Sequence, residues 1–243
     1  MTDEYKYFKN KYIDNINVNY FKPILNDVFE KYGKKFKVMA DVGCGNGIFT
    51  AYLKEFYDIK LYGFDASEYA LECASQNGFD KVFLNKDFSA DSLQAEDDYF
   101  DFVINKDVLE HLMDPVFLIK EINRILKPEG SFLLHVPNDF NLWTRIKFVF
   151  LNNVDTHNYS PDAKEWNKPH IRFFTYRGIK ELLQMYDFEI VKNYSSFFAH
   201  FPVISRIPGY MAIGKWLANR YPSQFSIAVT LLAKKKSEYD KQS

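Results

Sequence analysis

The segment Phe36 to Thr50, FKVMADVGCGNGIFT, constrains the fold more than any other stretch of this 243-residue chain. Val38, Met39 and Ala40 form a short apolar run that enters Asp41. Gly43, Gly45 and Gly47 follow, and an apolar stretch resumes at Ile48. A strand that ends in glycines and opens a helix presents bare backbone amides, with no Cβ to keep a ligand away. In an open α/β sheet, this first strand-to-helix turn is where a nucleotide-like cofactor sits. The dinucleotide spacing G-x-G-x-x-G would need a glycine where Ile48 stands, and no Gly-Lys-Ser/Thr of a phosphate-cradling loop follows.

The pattern continues in order. Ile48 to Tyr57 reads as a helix, and Lys60 to Phe64 as a second strand ending at Asp65. Asp65 lies 22 positions beyond Gly43 (65 − 43), near the spacing of a ribose-binding acid. Its two acceptor oxygens suit two ribose hydroxyls, and it also precedes the helix Ser67 to Gln76, which it could cap. Lys81 to Leu84 is a third strand leading to Asp87-Phe88. Tyr99 to Asn105 is a fourth, followed by Val108-Leu109-Glu110-His111-Leu112. Val116 to Leu126 is an amphipathic helix stopped by Lys127-Pro128-Glu129-Gly130, and Ser131 to Val136 is a fifth strand.

These features over Phe36 to Asn138 resemble the class I S-adenosylmethionine (SAM)-dependent methyltransferases, in the branch with a V-L-E-H-L run that acts mostly on small molecules. The resemblance implies a Rossmann-like α/β fold: a seven-stranded, mostly parallel sheet with an antiparallel C-terminal hairpin and helices on both faces. It implies SAM as cofactor and S-adenosylhomocysteine as product. It assigns cofactor binding to Asp41, Gly43, Cys44, Gly45, Gly47, Asp65, Ala66, Asp87, Phe88 and Asn105, with Asp87 at the adenine amino group and Phe88 on the ring. The base-methylating branch carries Asn/Asp-Pro-Pro-aromatic after the fourth strand. Asn105-Lys106-Asp107-Val108 departs from it, which disfavours nucleobase amines.

Outside this core the reading is looser. One domain is expected over 1–243: an N-terminal arm and helix (1–35), a cofactor-binding core (36–138), a substrate lid (139–170) and a C-terminal helix and hairpin (171–243) with an insertion at 195–222. Tyr5 to Asn19 reads as a loose arm or a lid over the site, and Phe21 to Tyr32 as a helix that Gly33 ends. Asn152 to Lys168 is a polar loop of the length that usually serves a function. Thr175 caps a helix over Tyr176 to Met185. Phe188 to Tyr194 and Phe225 to Leu232 are the last strands, and Met211 to Asn219 a helix within the insertion.

A net charge of −1 gives no global field for nucleic acid, and none is expected as a partner. Cys44 and Cys73 form no C-x-x-C, and the start of the chain is unlike a signal peptide, so a reducing cytoplasm is expected. The aromatic, proline-broken segment 195–222 is expected to be a subunit interface, as in a homodimer, or a substrate cover in preference to a membrane contact.

Methyl transfer to a hydroxyl needs alignment, water exclusion and a proton acceptor. Of five histidines, His170, then His111, then His157 are the candidate bases. His135 and His200 are assigned to the core and to the insertion. Arg145, Tyr159 and Arg172 are the candidate acceptor-binding residues, the arginines as forks for an anion. No metal is expected, because no acidic triad is evident. The expected reaction is O-methylation of a small anionic metabolite, such as a nucleotide-linked sugar or glycan precursor in polysaccharide biosynthesis. The alternatives are N-methylation of an amino sugar, methylation of a quinol or lipid precursor, or cofactor binding without catalysis.

Overall fold

In the computed structural model of the chain, residues 11–151, 170–195 and 209–237 are described. Seven strands form one sheet: β1 (Val38–Val42), β2 (Lys60–Asp65), β3 (Lys81–Leu84), β4 (Phe100–Lys106), β5 (Leu126–Pro137), β6 (Phe188–Asn193) and β7 (Ala228–Lys235). Their order is β3-β2-β1-β4-β5-β7-β6. The first five run parallel. β7 lies antiparallel between β5 and β6, which is the C-terminal hairpin of the expected fold.

Alternation along the strands sends side chains to two separate cores. Met39, Leu61, Phe102, Ile104, Leu133 and Leu232 face one side. There they meet Phe21, Leu25, Val28 and Phe29 of α1 (Lys11–Tyr32) and Leu71 and Ala74 of α2 (Glu68–Gln76). Ala40, Val42, Phe64, Val103, Phe132 and Leu134 face the other. They meet Leu118, Ile119 and Ile122 of α3 (Pro115–Ile125) and Ile179 and Leu183 of α5 (Tyr176–Met185). Covering both faces lets the parallel strands be apolar throughout. The chain winds outward from β1 to β3, then returns to β4 on the far side of β1. The carboxyl ends of β1 and β4 therefore flank a topological switch point, where such sheets open a crevice.

Three elements differ from their expected form. α1 starts at Lys11, so the supposed arm is helical from there. The Phe21–Phe29 face is buried, and extending a formed helix costs far less than starting one. After the glycine turn stands a short 3₁₀ segment, Ala51–Glu55, in place of the helix Ile48 to Tyr57. Thr50 turns inward to donate to the Asp41 carboxylate at 2.6 Å, and both Thr50 and Ala51 amides fold back onto the Gly47 carbonyl. β5 begins at Leu126, directly after α3.

Asn141 to Leu151, placed in the lid, carries α4 (Leu142–Leu151). α6 (Tyr210–Arg220) and the one-turn α7 (Pro222–Phe225) lead into β7. Asn138 ties them to the end of β5, its amide donating to the Ser226 carbonyl at 2.7 Å. The remainder of the expected lid, 152–169, and most of the first half of the insertion, 196–208, lie outside the described residues. No helix among the described residues is long and apolar enough to cross a membrane.

Candidate functional site

The glycine turn is shaped by sterics. Gly43, Gly45 and Gly47 all have positive φ, a region that L side chains avoid. A Cβ on Gly43 would lie 2.1 Å from Val108, and one on Gly47 would lie 2.4 Å from the Phe79 ring. The turn's amides are largely engaged within the protein. Gly43 and Cys44 donate to the Phe64 carbonyl, and Gly45 donates to the Asp65 carboxylate at 2.8 Å. The glycines thus supply a close approach, while few amides are left to point at a ligand.

Asp65 ends β2 with its carboxylate against this turn. One oxygen accepts from Gly45 and the other from the Ser67 amide at 3.0 Å. The cap of α2 falls instead to Ser67, whose hydroxyl accepts from Ala70 at 3.2 Å. Ala66 is exposed beside Asp65. Asp87 is exposed and accepts from the Ser89 amide, while Phe88 packs into the core. Cys44 is buried under the turn. Asp41 is buried too, and burial raises its carboxyl to about 7 against the opposing bond from Thr50.

Asn105, at the end of β4, is fully buried. Its amide nitrogen donates to the Val42 carbonyl at 2.8 Å, and its Oδ1 has no hydrogen-bond partner. A buried, unpaired acceptor beside a glycine cradle and a ribose-type acid fits a ligand rich in donors: the ammonium and ribose hydroxyls of SAM.

Past β4 the chain makes a tight loop. Asp107 adopts φ +54°, strained for a non-glycine, and its amide donates to the His135 carbonyl. Lys106 pairs with the Asp107 carboxylate and lies over the Phe49 ring. Leu109–His111 then forms a single 3₁₀ turn, so His111 precedes α3, which Asp114 caps through Val116 and Phe117. The Glu110 carbonyl accepts from the amides of Ile171 and Arg172 at 2.9 and 3.1 Å. That clasp carries His170 to His111, with ring centroids 5.0 Å apart. His170 Nδ1 lies 3.9 Å from an Asp139 oxygen.

Glu110 is 1% exposed, and its Oε2 has no hydrogen-bond partner; nor has Asp139 Oδ2. Burial, with Asp107 and Asp139 nearby, holds the Glu110 carboxyl well above the usual carboxylate range. Glu110, His111 and His170 each bring one ligand-capable atom within 4.8 Å of the others. Sequence reading named both histidines and overlooked Glu110 and Asp139. The signal for Glu110 was an acid inside the apolar V-L-E-H-L run; Asp139 carried none.

The side chains of both arginines bond to backbone carbonyls. Arg172 donates to the carbonyls of Leu112 and Met113, and exposed Arg145 donates from Nε to the Phe140 carbonyl at 2.7 Å. His135 is buried against Thr230 at 2.7 Å, and burial lowers its imidazole to about 4. His157, Tyr159 and His200 lie outside the described residues.

The sheet order, the glycine cradle and the acid ending β2 define a Rossmann-like fold of the class that binds SAM at β1 and β2. Residues 40–134 match the family model described as a methyltransferase domain. Over those residues the chain is similar to the class I SAM-dependent methyltransferases. Over 121 residues it is 30% identical to a tRNA U34 carboxymethyltransferase of Campylobacter jejuni, covering 49% of this chain and 40% of that protein. Over 101 residues it is 29% identical to a ubiquinone biosynthesis O-methyltransferase of Parvibaculum lavamentivorans, covering 40% and 39% of the two. The matches thus span about two fifths of these relatives' lengths. A solved SAM-dependent methyltransferase of Thermotoga maritima shares the fold at a TM-score of 0.64 and 21% identity, over 97% of this chain and all of that one.

Proposed function

We propose that the chain is a SAM-dependent O-methyltransferase whose acceptor hydroxyl is seated against Glu110, His111 and His170. The observation that carries this reading is that cluster: two imidazoles and a buried carboxylate with one unpartnered oxygen, at the carboxyl end of β4, past the loop that follows Asn105. An alcohol is a poor nucleophile until its proton leaves, and groups that take or displace that proton are what the cluster offers. SAM, when bound, supplies an electrophilic methyl on a sulfonium. Gly43, Gly45 and Gly47 let it approach the turn, Asp65 holds the ribose, Asp87 serves the adenine with Phe88 bracing the turn from the core, and Asn105 Oδ1 receives the ammonium. His170, clasped to the Glu110 turn, holds the acceptor's oxygen in line and helps exclude water. The proposed division of the chain is a helix and its lead-in over 1–35, a cofactor core over 36–138, an acceptor cover over 139–170 and a C-terminal part over 171–243.

The acceptor we infer carries an apolar body. Trp143, Phe148 and Phe150 of α4 and Ile213 and Trp216 of α6 are exposed at the end of the sheet that holds the glycine turn. The arginine donors expected for an anionic acceptor are at least partly taken up by carbonyls. A hydroxyl compound of quinol or lipid-precursor type therefore fits better than a nucleotide-linked sugar, and the name of the Parvibaculum relative agrees with it. The test is methyl transfer from labelled SAM to a panel of quinol-type phenols, nucleotide sugars and unmodified tRNA. Label is expected on the oxygen of the quinol-type compounds. Transfer only to nucleotide sugars or tRNA would overturn the acceptor class, and transfer only to amine nitrogen would overturn O-methylation.

A further inference from the structure

The cluster that seats the acceptor has the composition of a cation site. It combines two imidazoles with one carboxylate, and three ligand-capable atoms lie within 4.8 Å of one another. Ligands 2.0 to 2.2 Å from a divalent ion stand about 3 to 4 Å apart, so the side chains need only a small closing movement. The independent observation is Glu110. It is 1% exposed, it belongs to this set, and one of its carboxylate oxygens is buried with no hydrogen-bond partner. A buried carboxylate oxygen without a partner is costly, and a cation is the direct remedy. Asp139 adds a second unpartnered carboxylate oxygen, and its other oxygen lies 3.9 Å from His170 Nδ1. A carboxylate beside one imidazole nitrogen fixes the ring so that the opposite nitrogen can face an ion, as in carboxylate–histidine–metal arrangements. Asp107 contributes further negative potential, part of which is answered by Lys106.

We propose that Glu110, His111 and His170 bind one divalent first-row transition ion, with Asp139 positioning His170. Two imidazoles and one carboxylate select borderline ions of the zinc, cobalt or ferrous kind over magnesium, and three protein ligands leave positions open for an acceptor oxygen. The inference rests on the reading that the acceptor sits at this cluster. The ion acts as a Lewis acid toward the acceptor hydroxyl. The bound oxygen releases its proton to solvent, and its freed pair forms the bond to the methyl carbon. The carbon–sulfur bond breaks with its pair going to sulfur, and the neutral thioether departs. The histidines then act through the ion and not as free bases.

The test uses the full chain, stripped with chelator, in the absence of SAM and acceptor. Titration with Co²⁺ alone is followed by visible d–d absorption and by metal content per chain. One Co²⁺ per chain is expected, with an absorption envelope of low coordination number that Zn²⁺ displaces. Glu110→Gln, which keeps the shape of the buried side chain, and His170→Ala should each weaken Co²⁺ binding at least tenfold. Asp139→Asn should weaken it less and shift the absorption. No saturable absorption in the wild type, or unchanged Co²⁺ affinity in both ligand variants, overturns the proposal. Because no methyl transfer is read, failure to bind Co²⁺ counts against this inference alone, and the acceptor panel tests the functional reading separately.

Discussion

Asp41 links cofactor turn and stability at the scale of one residue. Its carboxyl is raised by burial to about 7, above its ordinary 3.8. A raised folded-state pKa means the contribution is fully present below about pH 4 and is lost as pH rises through about 7. Asp41→Asn should remove that dependence. Denaturant melts of both proteins between pH 5 and 8 should show the wild type losing stability relative to the variant, and parallel curves would contradict the assignment. His135 acts in the opposite sense. Its imidazole is held down to about 4, so its contribution fades as pH falls from about 6.5 toward 4. Asp65 carries the binding prediction. Asp65→Ala should weaken SAM by ~1.5–3 kcal/mol, the range for hydrogen bonds to charged groups, as read by calorimetry. Unchanged affinity in a folded variant would confine Asp65 to bracing Gly45 and Ser67.

At the scale of elements, the glycine turn is the rigid part. Gly47 sits at φ +77°, with Phe79 where its Cβ would go. Gly47→Ala should therefore destabilise by ~1 kcal/mol or more through strain alone. Adding Phe79→Leu should restore the part that comes from the ring contact and leave the part that comes from φ. Complete restoration, followed by thermal melting, would show that strain is absent. α3 offers a control away from the site. Asp114 accepts from Val116 and Phe117, so Asp114→Ala should cost ~0.5–2 kcal/mol with little effect on SAM affinity. Elements with dense local signals were legible in the sequence: the strand-glycine turn, the capped α5 and the alternating strands. The 3₁₀ segment after the turn was not, because the inward bond from Thr50 to Asp41 decides it and leaves no periodic mark. The helical reach of α1 to Lys11 was not either, since it follows from burial of a later part of the same helix.

For the whole molecule, strand order at the switch point joins two halves of different legibility. The cofactor half lies in one continuous stretch, where spacing along the chain maps onto spacing in the crevice, and it could be read directly. The acceptor half is assembled from residues 110–111, 139 and 170, brought together by two amides donating to one carbonyl. Spacing carries no trace of such a meeting, which is why the histidines were found as types but their shared carboxylates were not. The measurement that bears most directly on O-methylation at this cluster is single-turnover transfer from carbon-13-labelled SAM to a quinol-type acceptor. It locates the methyl by NMR and counts S-adenosylhomocysteine, for the wild type, Glu110→Gln and His170→Ala. One oxygen-bound methyl per S-adenosylhomocysteine is expected in the wild type. A rate loss of roughly 10²-fold or more is expected in both variants, with SAM affinity preserved. Both variants transferring at the wild-type rate, or the methyl appearing on nitrogen or carbon, would contradict O-methylation at this cluster.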